Sequence, residues 1–403
     1  MKSIRDLYKI GKGPSSSHTM GPERAAGIFR AEHPDADSYR VVLYGSLSKT
    51  GVGHGTDRVL RSVFAPTPTE IVFSQEDPSD LKHPNTLDFF AIKDGESSPA
   101  MRVQSVGGGD IVIEGRTDAQ SQDIYPENSF AEIMQFCKWR NIRLWEYVEL
   151  NEGKEIWEFL AQIWKAMRWS IADGLAASGT LPGGLNVERK AKYLYEQAVQ
   201  NEVPQVRECR IVCSYAFAVS EQNADNGTIV TAPTCGSCGV VPAVLRYMQE
   251  RYKYPEQRIL QALAVAGIFG NLVKQNASIS GAECGCQAEI GTACSMAAAA
   301  LSELANMSLE QTEYAAEIAL EHHLGLTCDP ICGLVQIPCI ERNAVAAMRA
   351  LNSCNLSWFL CNTRNISFDM VVKTMYQTGI HISNAFRETS EGGLAQLYQR
   401  RIR

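Results

Sequence analysis

The chain has 403 residues, of which 45% are hydrophobic and 21% charged, and a formal net charge of −7. Those values describe a globular chain too long for one core, so two or more domains are expected. They argue against nucleic acid or an anionic membrane as the main partner, and no apolar run is long enough to cross a bilayer.

The start, MKSIRDLYKIGKG, is interrupted by charges and leads into no apolar core, so it does not read as a secretory signal. The cytoplasm is the expected compartment. There the 13 cysteines stay reduced, as core residues, metal ligands or reactive thiols rather than a disulfide framework.

MKSIRDLYKIG predicts a short helix leading into a loop. GPSSSHTMGPERAAGIFRAE follows as a Ser-rich loop and then a helix, with Pro22 and Glu23 in its first turn. Residues 39–47 (YRVVLYGSL) have the β-branched and aromatic content of a strand. SKTGVGHGTDRVLRSVFA is again loop then helix, with Thr56 or Asp57 as N-cap. TEIVFS, TLDFFAIK and AMRVQSVGGGDIVIEGR read as further strands. Residues 1–120 are therefore expected to form a mixed α/β domain, with helices packed on a sheet.

Positions 119–128 (AQSQDIYPEN) are polar and predict a linker. From Ser129 onward nearly every segment has helical spacing of apolar residues. Helices are predicted over 187–200, 204–220, 237–251, 256–274, 286–305, 309–324, 339–353 and 367–387. The expected fold class is α+β: an N-terminal mixed α/β sheet domain followed by a larger all-α domain over 128–403. LPGGL at 181–185 and two polar loops, at 220–239 and 274–287, interrupt the helices and are expected to wall a site.

Three constellations could carry chemistry. In GPSSSHTMGP, three hydroxyls and an imidazole stand at a helix start, where free N–H groups and the dipole favour an anion. Ser16, Ser17 and His18 could hold a substrate carboxylate there, with Thr19 in the same loop; the alternative is a solvated capping loop. In GSLSKTGVGHGTD, His54 sits between two glycines just after a strand, as a general base or as an exposed loop histidine. The third is the cysteine-rich stretch 281–343. Cys284 and Cys286 flank one glycine, Cys328 precedes Asp-Pro, Cys339 follows a proline, and Cys294 lies in an Ala-rich, core-like run. Soft thiolates suit iron–sulfur clusters or zinc, but the spacing matches no ferredoxin ladder. CGSC at 235–238 has redox or zinc spacing, and no second CxxC completes a four-cysteine zinc site.

Taken together, GPSSSHTMGP, GSLSKTGVGHGTD, LPGGL, TAPTCGSCGVVPAVL, NASISGAECGCQAEIG and LGLTCDPICGLVQIPCIERN resemble the iron–sulfur L-serine dehydratase (L-serine ammonia-lyase) family. The motifs span nearly the whole chain, in the form whose β and α halves are fused. The resemblance implies a [4Fe–4S] cluster held by Cys286, Cys328 and Cys339 in the helical half, with the SSSHT and GHGTD loops closing over it. It implies L-serine as substrate and homo-oligomers, commonly dimers. In the mechanism it suggests, the iron without a protein ligand acts as a Lewis acid on serine's oxygens. His54 removes the α-proton, and His18 serves as carboxylate anchor or alternate base. The second CxxC cysteine departs from the family pattern, which leaves a role for Cys235 or Cys238 open.

Three other readings stand beside this one. They are a related lyase acting on L-cysteine or L-threonine, a pyridoxal-phosphate dehydratase using Lys274 or Lys49, and a non-catalytic amino-acid or redox sensor.

Overall fold

The computed structural model describes residues 1–116, 123–197 and 199–402. Of the linker expected at 119–128, positions 119–122 lie outside them. Among the described residues two hydrophobic cores account for most of the buried apolar side chains.

The smaller core lies under a sheet. Its strands are β2 (Ser38–Leu43), β3 (Thr69–Phe73), β4 (Thr86–Lys93), the short β5 (Glu96–Ser97), β6 (Met101–Gly107) and β7 (Asp110–Ile113); β1 lies elsewhere, as described below. The order is β3-β2-β4-β6-β7, with β5 on β4. Only β2 and β3 run parallel, and the helix Thr56–Phe64 crosses between them. The other pairs are antiparallel, so the sheet is mixed. In β6 buried residues alternate with half-buried ones, as a strand with one covered face requires. The helices Gly21–Glu32 and Thr56–Phe64 cover that face. Phe29, Tyr39, Phe64 and Phe89 interlock there as ring pairs.

The strand expected over 39–47 ends at Leu43. Gly45 takes a positive φ of 53° and the chain turns into a helix, Gly45–Thr50. That early exit matters, because this short helix and the loop after it carry Ser46, Thr50 and His54.

The larger core is helical. Every residue of Thr292–Leu304 is buried, and its run of alanines lets four helices approach: Val240–Tyr252, Glu256–Asn276, Leu309–Glu321 and Cys339–Leu360. The helix predicted from 286 begins instead with a wide turn, Gln287–Gly291, and that predicted over 339–353 continues to Leu360. That predicted over 367–387 stops at His381, leaving 382–392 as an irregular strap with a 3₁₀ turn, Asn384–Phe386. No helix among the described residues is long and apolar enough to cross a membrane.

The chain's first residues belong to this second core. Ile4, Leu7 and Tyr8 are buried among its helices, and the Tyr8 hydroxyl donates to the Leu263 carbonyl at 2.9 Å. β1 (Ile10–Lys12) then pairs antiparallel with β8 (Thr228–Val230), inside the long polar loop of the helical part. The N-terminus thus threads the helical region before the chain enters the sheet. Lys9 and Lys274 clamp Asp110 of β7 from the helical side, Lys274 Nζ at 2.6 Å.

Candidate active site

The two parts meet over an enclosed cavity. It is lined by Pro14 and Ser15 of the Ser-rich loop, His54, Gly236 of CGSC, Cys286, Glu289, Ile290, Cys328, Pro330, Val335, Cys339 and, from the C-terminal strap, Glu388. Close backbone approach makes this possible. A Cβ at Gly53 would lie 2.6 Å from the Gly333 carbonyl oxygen, so glycine lets the His54 loop rest on the segment between Cys328 and Cys339. A Cβ at Gly281 would lie 2.6 Å from Glu289 Oε2 and 3.4 Å from Cys328 Sγ.

His54 is fully buried. Its Nδ1 lies 2.9 Å from the Thr50 carbonyl oxygen, which can only accept, so the proton resides on Nδ1. Nε2 is left as a bare lone pair with no hydrogen-bond partner, 3.5 Å from Glu388 Oε1. Burial lowers its pKa from 6.5 to about 4, with the Thr50 bond opposing weakly.

His18 stacks on His54 with ring centroids 4.3 Å apart. Its tautomer follows from its neighbours. Ser46 Oγ donates to the Glu388 carbonyl at 2.7 Å, and Thr50 Oγ1 donates to the Ser46 carbonyl at 2.9 Å. Both hydroxyl protons are thereby committed, so the two oxygens accept from His18 Nε2, at 3.1 and 3.0 Å. His18 Nδ1 is then an acceptor, 3.2 Å from Ser17 Oγ. Burial, then the neighbouring His54, hold His18 well below the usual histidine range.

The loop hydroxyls divide their tasks. Ser15, not singled out from the sequence, lines the cavity and caps the turn Ser16–Met20, accepting from the His18 N–H at 3.1 Å. Ser17 faces His18, Thr19 donates to the His54 carbonyl at 2.9 Å, and Thr56 donates to the His18 carbonyl at 2.7 Å. Ser16 is buried in the same turn. The N-cap of helix Thr56–Phe64 is Gly55, not Thr56 or Asp57 as expected; glycine has no side chain to cap with, and the Thr56 hydroxyl bonds His18 instead.

Three thiols line the cavity with His54; His18 lies behind that ring, outside the lining. Cys286 directly precedes the turn into Thr292–Leu304, and Cys339 opens Cys339–Leu360, so two of them stand at helix N-termini that favour anionic sulfur. Cys328 is fixed by a parallel bridge to Arg387: its N–H donates to the Phe386 carbonyl and its carbonyl accepts from Glu388 N–H, both at 2.7 Å. The Cys328 S–H favours a Cys286 thiolate, drawing Cys286 down to about 6 despite burial, and Cys328 is raised in turn. Arg342 adds positive charge beside Cys286 and is held by the Thr327 carbonyl at 2.7 Å. Burial, then the Cys286 charge, raise Cys339. Glu289 accepts from Thr234 Oγ1 at 2.7 Å, and burial, then Cys286, raise it to about 8.

The remaining sequence candidates fall elsewhere. Cys235 and Cys238 are buried in the helical core, where burial raises both thiols and Cys235 Sγ faces Met20 Sδ at 3.4 Å; only the Gly236 between them reaches the cavity. Cys284 and Cys294 are core residues too, and Cys294 Sγ donates to the Ala346 carbonyl at 3.2 Å. Lys49 is exposed and paired with Glu391 at 3.0 Å, and Lys274 holds Asp110, so neither lysine is placed to bind a pyridoxal group in this cavity. Glu388 and Glu289, like Ser15, are cavity residues that sequence reasoning missed.

Residues 3–65 match the family model described as serine dehydratase beta chain, and residues 70–395 match that described as serine dehydratase alpha chain. The chain belongs to the serine dehydratase family. It joins both of the family's parts in one polypeptide, and the alpha-chain match begins at β3, inside the sheet. It is 40% identical to L-serine dehydratase TdcG of Escherichia coli (strain K12), with 98% of this chain and 99% of that protein covered. It is 39% identical to L-serine dehydratase of Streptomyces coelicolor over 98% of both chains, and 35% identical to that of Helicobacter pylori over the same shares.

Proposed function

We propose that this serine dehydratase family member is an L-serine ammonia-lyase, converting L-serine to pyruvate and ammonia, with His54 as the base. The observation that carries this reading is the free Nε2 lone pair of His54, buried in the same cavity as three thiols with no disulfide among them.

The donor set fits a cluster. Cys286, Cys328 and Cys339 are buried sulfurs around one space, next to an arginine and at two helix N-termini, which suits an anionic iron–sulfur group. These three residues would hold a [4Fe–4S] cluster. Bound there, it would supply Lewis-acid polarisation of the substrate's oxygens.

The chain's own residues supply the rest. His54 Nε2 accepts the α-proton of L-serine as the Cβ–O bond breaks and hydroxide departs. The Thr50 carbonyl, at 2.9 Å from Nδ1, stabilises the imidazolium so formed. His18 stacks against that ring, and its Ser46 and Thr50 contacts fix its orientation. The closed apolar walls Ile290, Val335 and Pro330 limit water around the reacting carbon. The product, 2-aminoacrylate, tautomerises to an imine, whose hydrolysis gives pyruvate and ammonia.

The test is His54→Ala, prepared anaerobically. It should retain the iron–sulfur absorption of the parent protein and lose turnover of L-serine. Retention of near-parental kcat would place the base elsewhere.

A further inference from the structure

An α-amino acid brings a group that the scheme above leaves without a partner: its ammonium. We infer that Glu388 receives the substrate's α-ammonium and so sets the preference for amino acids over hydroxy acids. This rests on the substrate being an amino acid, as proposed.

Few acceptors in the cavity are free for that ammonium. Among the described side chains, Ser15 Oγ accepts from the His18 N–H, Glu289 Oε1 accepts from Thr234, and Glu289 Oε2 faces Cys286 Sγ at 3.9 Å. His54 Nε2 is committed to the α-proton, and the thiols have their own role. Glu388 remains. It is 5% exposed; the Ala282 backbone N–H favours its charged form, yet its Oε2 makes no hydrogen bond. Buried carboxyl oxygens are rarely left so.

Position agrees with chemistry. The α-carbon carries both the ammonium and the hydrogen to be removed, so their two acceptors must be neighbours. Glu388 Oε1 lies 3.5 Å from His54 Nε2 and 3.6 Å from His18 Nδ1. An ammonium on Glu388 therefore brings the adjacent C–H toward the His54 lone pair.

The backbone around Glu388 is held on both sides. Its N–H donates to the Cys328 carbonyl at 2.7 Å and its carbonyl accepts from Ser46 at 2.7 Å, with φ at +57°. Such a positive φ is uncommon for a residue other than glycine and marks a conformation imposed by its surroundings. The same strap residue thus joins the Cys328 side of the cavity to the histidine side. The substrate's ammonium is a cation, so the contact is with the carboxylate, and Glu388→Gln removes that charge while keeping an acceptor oxygen.

The experiment compares two non-eliminating ligands that differ only at the α-substituent, L-alanine and L-lactate. Their dissociation constants are measured by calorimetry on anaerobic holoenzyme, beside KM and kcat for L-serine. The parent protein should prefer L-alanine, and Glu388→Gln should cut that preference by about tenfold or more, the scale of a charge-assisted hydrogen bond. The KM for L-serine should rise in parallel while the cluster absorption persists. Glu388→Asp, which keeps the carboxylate, should recover part of the preference; this also separates loss of charge from loss of fold. An unchanged alanine-to-lactate ratio in Glu388→Gln overturns the assignment. So does a ratio lost in Glu289→Gln but kept in Glu388→Gln, or a fall in kcat with KM and ratio unmoved. Failure of the parent protein to turn over L-serine is read separately, because the binding ratio needs no reaction.

Discussion

His54 owes its suitability as a base to what its other nitrogen does. The Thr50 carbonyl fixes the proton on Nδ1, and burial keeps the ring neutral. Removing the imidazole should lower kcat by ~10²–10⁴-fold, the usual contribution of a positioned general base. The low pKa also makes a prediction about pH. An acid limb of kcat/KM that reports His54 should have its midpoint near 4, where the native ring protonates, not near the ordinary 6.5. The same shift bears on stability. Between 6.5 and about 4 the unfolded chain binds a proton that the native ring refuses, so stability falls as pH drops through that window. Urea titrations at pH 7 and pH 5 should show this loss, and it should shrink in His54→Gln. At this scale the sequence was informative where a residue carried its own signal. His54 stood between glycines, whereas the trio Cys286, Cys328 and Cys339 came from the family resemblance, since its spacing alone matches no cluster ladder. Glu388 carried none. It lies in the polar run SNAFRETSEGG, where neither periodicity nor spacing separates a buried carboxyl from a solvated one.

At the scale of elements, the helical half was legible because buried helices need apolar residues at helical spacing. The errors fall where backbone geometry intervened. The run YRVVLYGSL reads as one strand, yet Gly45 turns it into the helix that presents Ser46 and Thr50. The Ala-rich run after Cys286 reads as helix throughout, yet its first turn widens and places Cys286 at its N-cap. Close helix contacts were hidden too. Gly174 of Ile156–Ala176 packs its backbone on the Ala218 carbonyl of Pro204–Ala224, so that a Cβ there would overlap it. Gly174→Ala should cost about 1–3 kcal/mol through overpacking, read as a lower urea midpoint. Pro204–Ala224 also carries Asn223, whose Nδ2 donates to the Pro14 carbonyl at 2.8 Å beside the cavity. Activity in that variant should therefore fall as the Pro14–Ser15 wall loosens. Unchanged stability would show that the helices can part without penalty.

For the whole molecule, a sheet part and a helical part were readable from the change in pattern near Ser129. The way they are joined was not. MKSIRDLYKIG reads as a short helix leading into a loop at the start of the α/β part, but Ile4, Leu7 and Tyr8 fill the helical core, because their partners lie far along the chain. The Lys9–Asp110–Lys274 clamp is equally non-local. Asp110→Asn leaves two lysines without their shared partner and should cost about 2 kcal/mol. If the clamp also keeps the histidine loops over the thiols, KM for L-serine should rise with it; a variant that loses neither stability nor affinity would make the clamp incidental.

The central claim is that three thiols from the helical part and one imidazole from the sheet part form a single site for L-serine. Its most direct measurement is iron, sulfide and pyruvate formation on the same anaerobic preparations of the parent protein and of Cys339→Ala. The account predicts that all three are present together in the parent and lost together in the variant. A Cys339→Ala protein that contains no iron and still forms pyruvate from L-serine at the parental rate would contradict it.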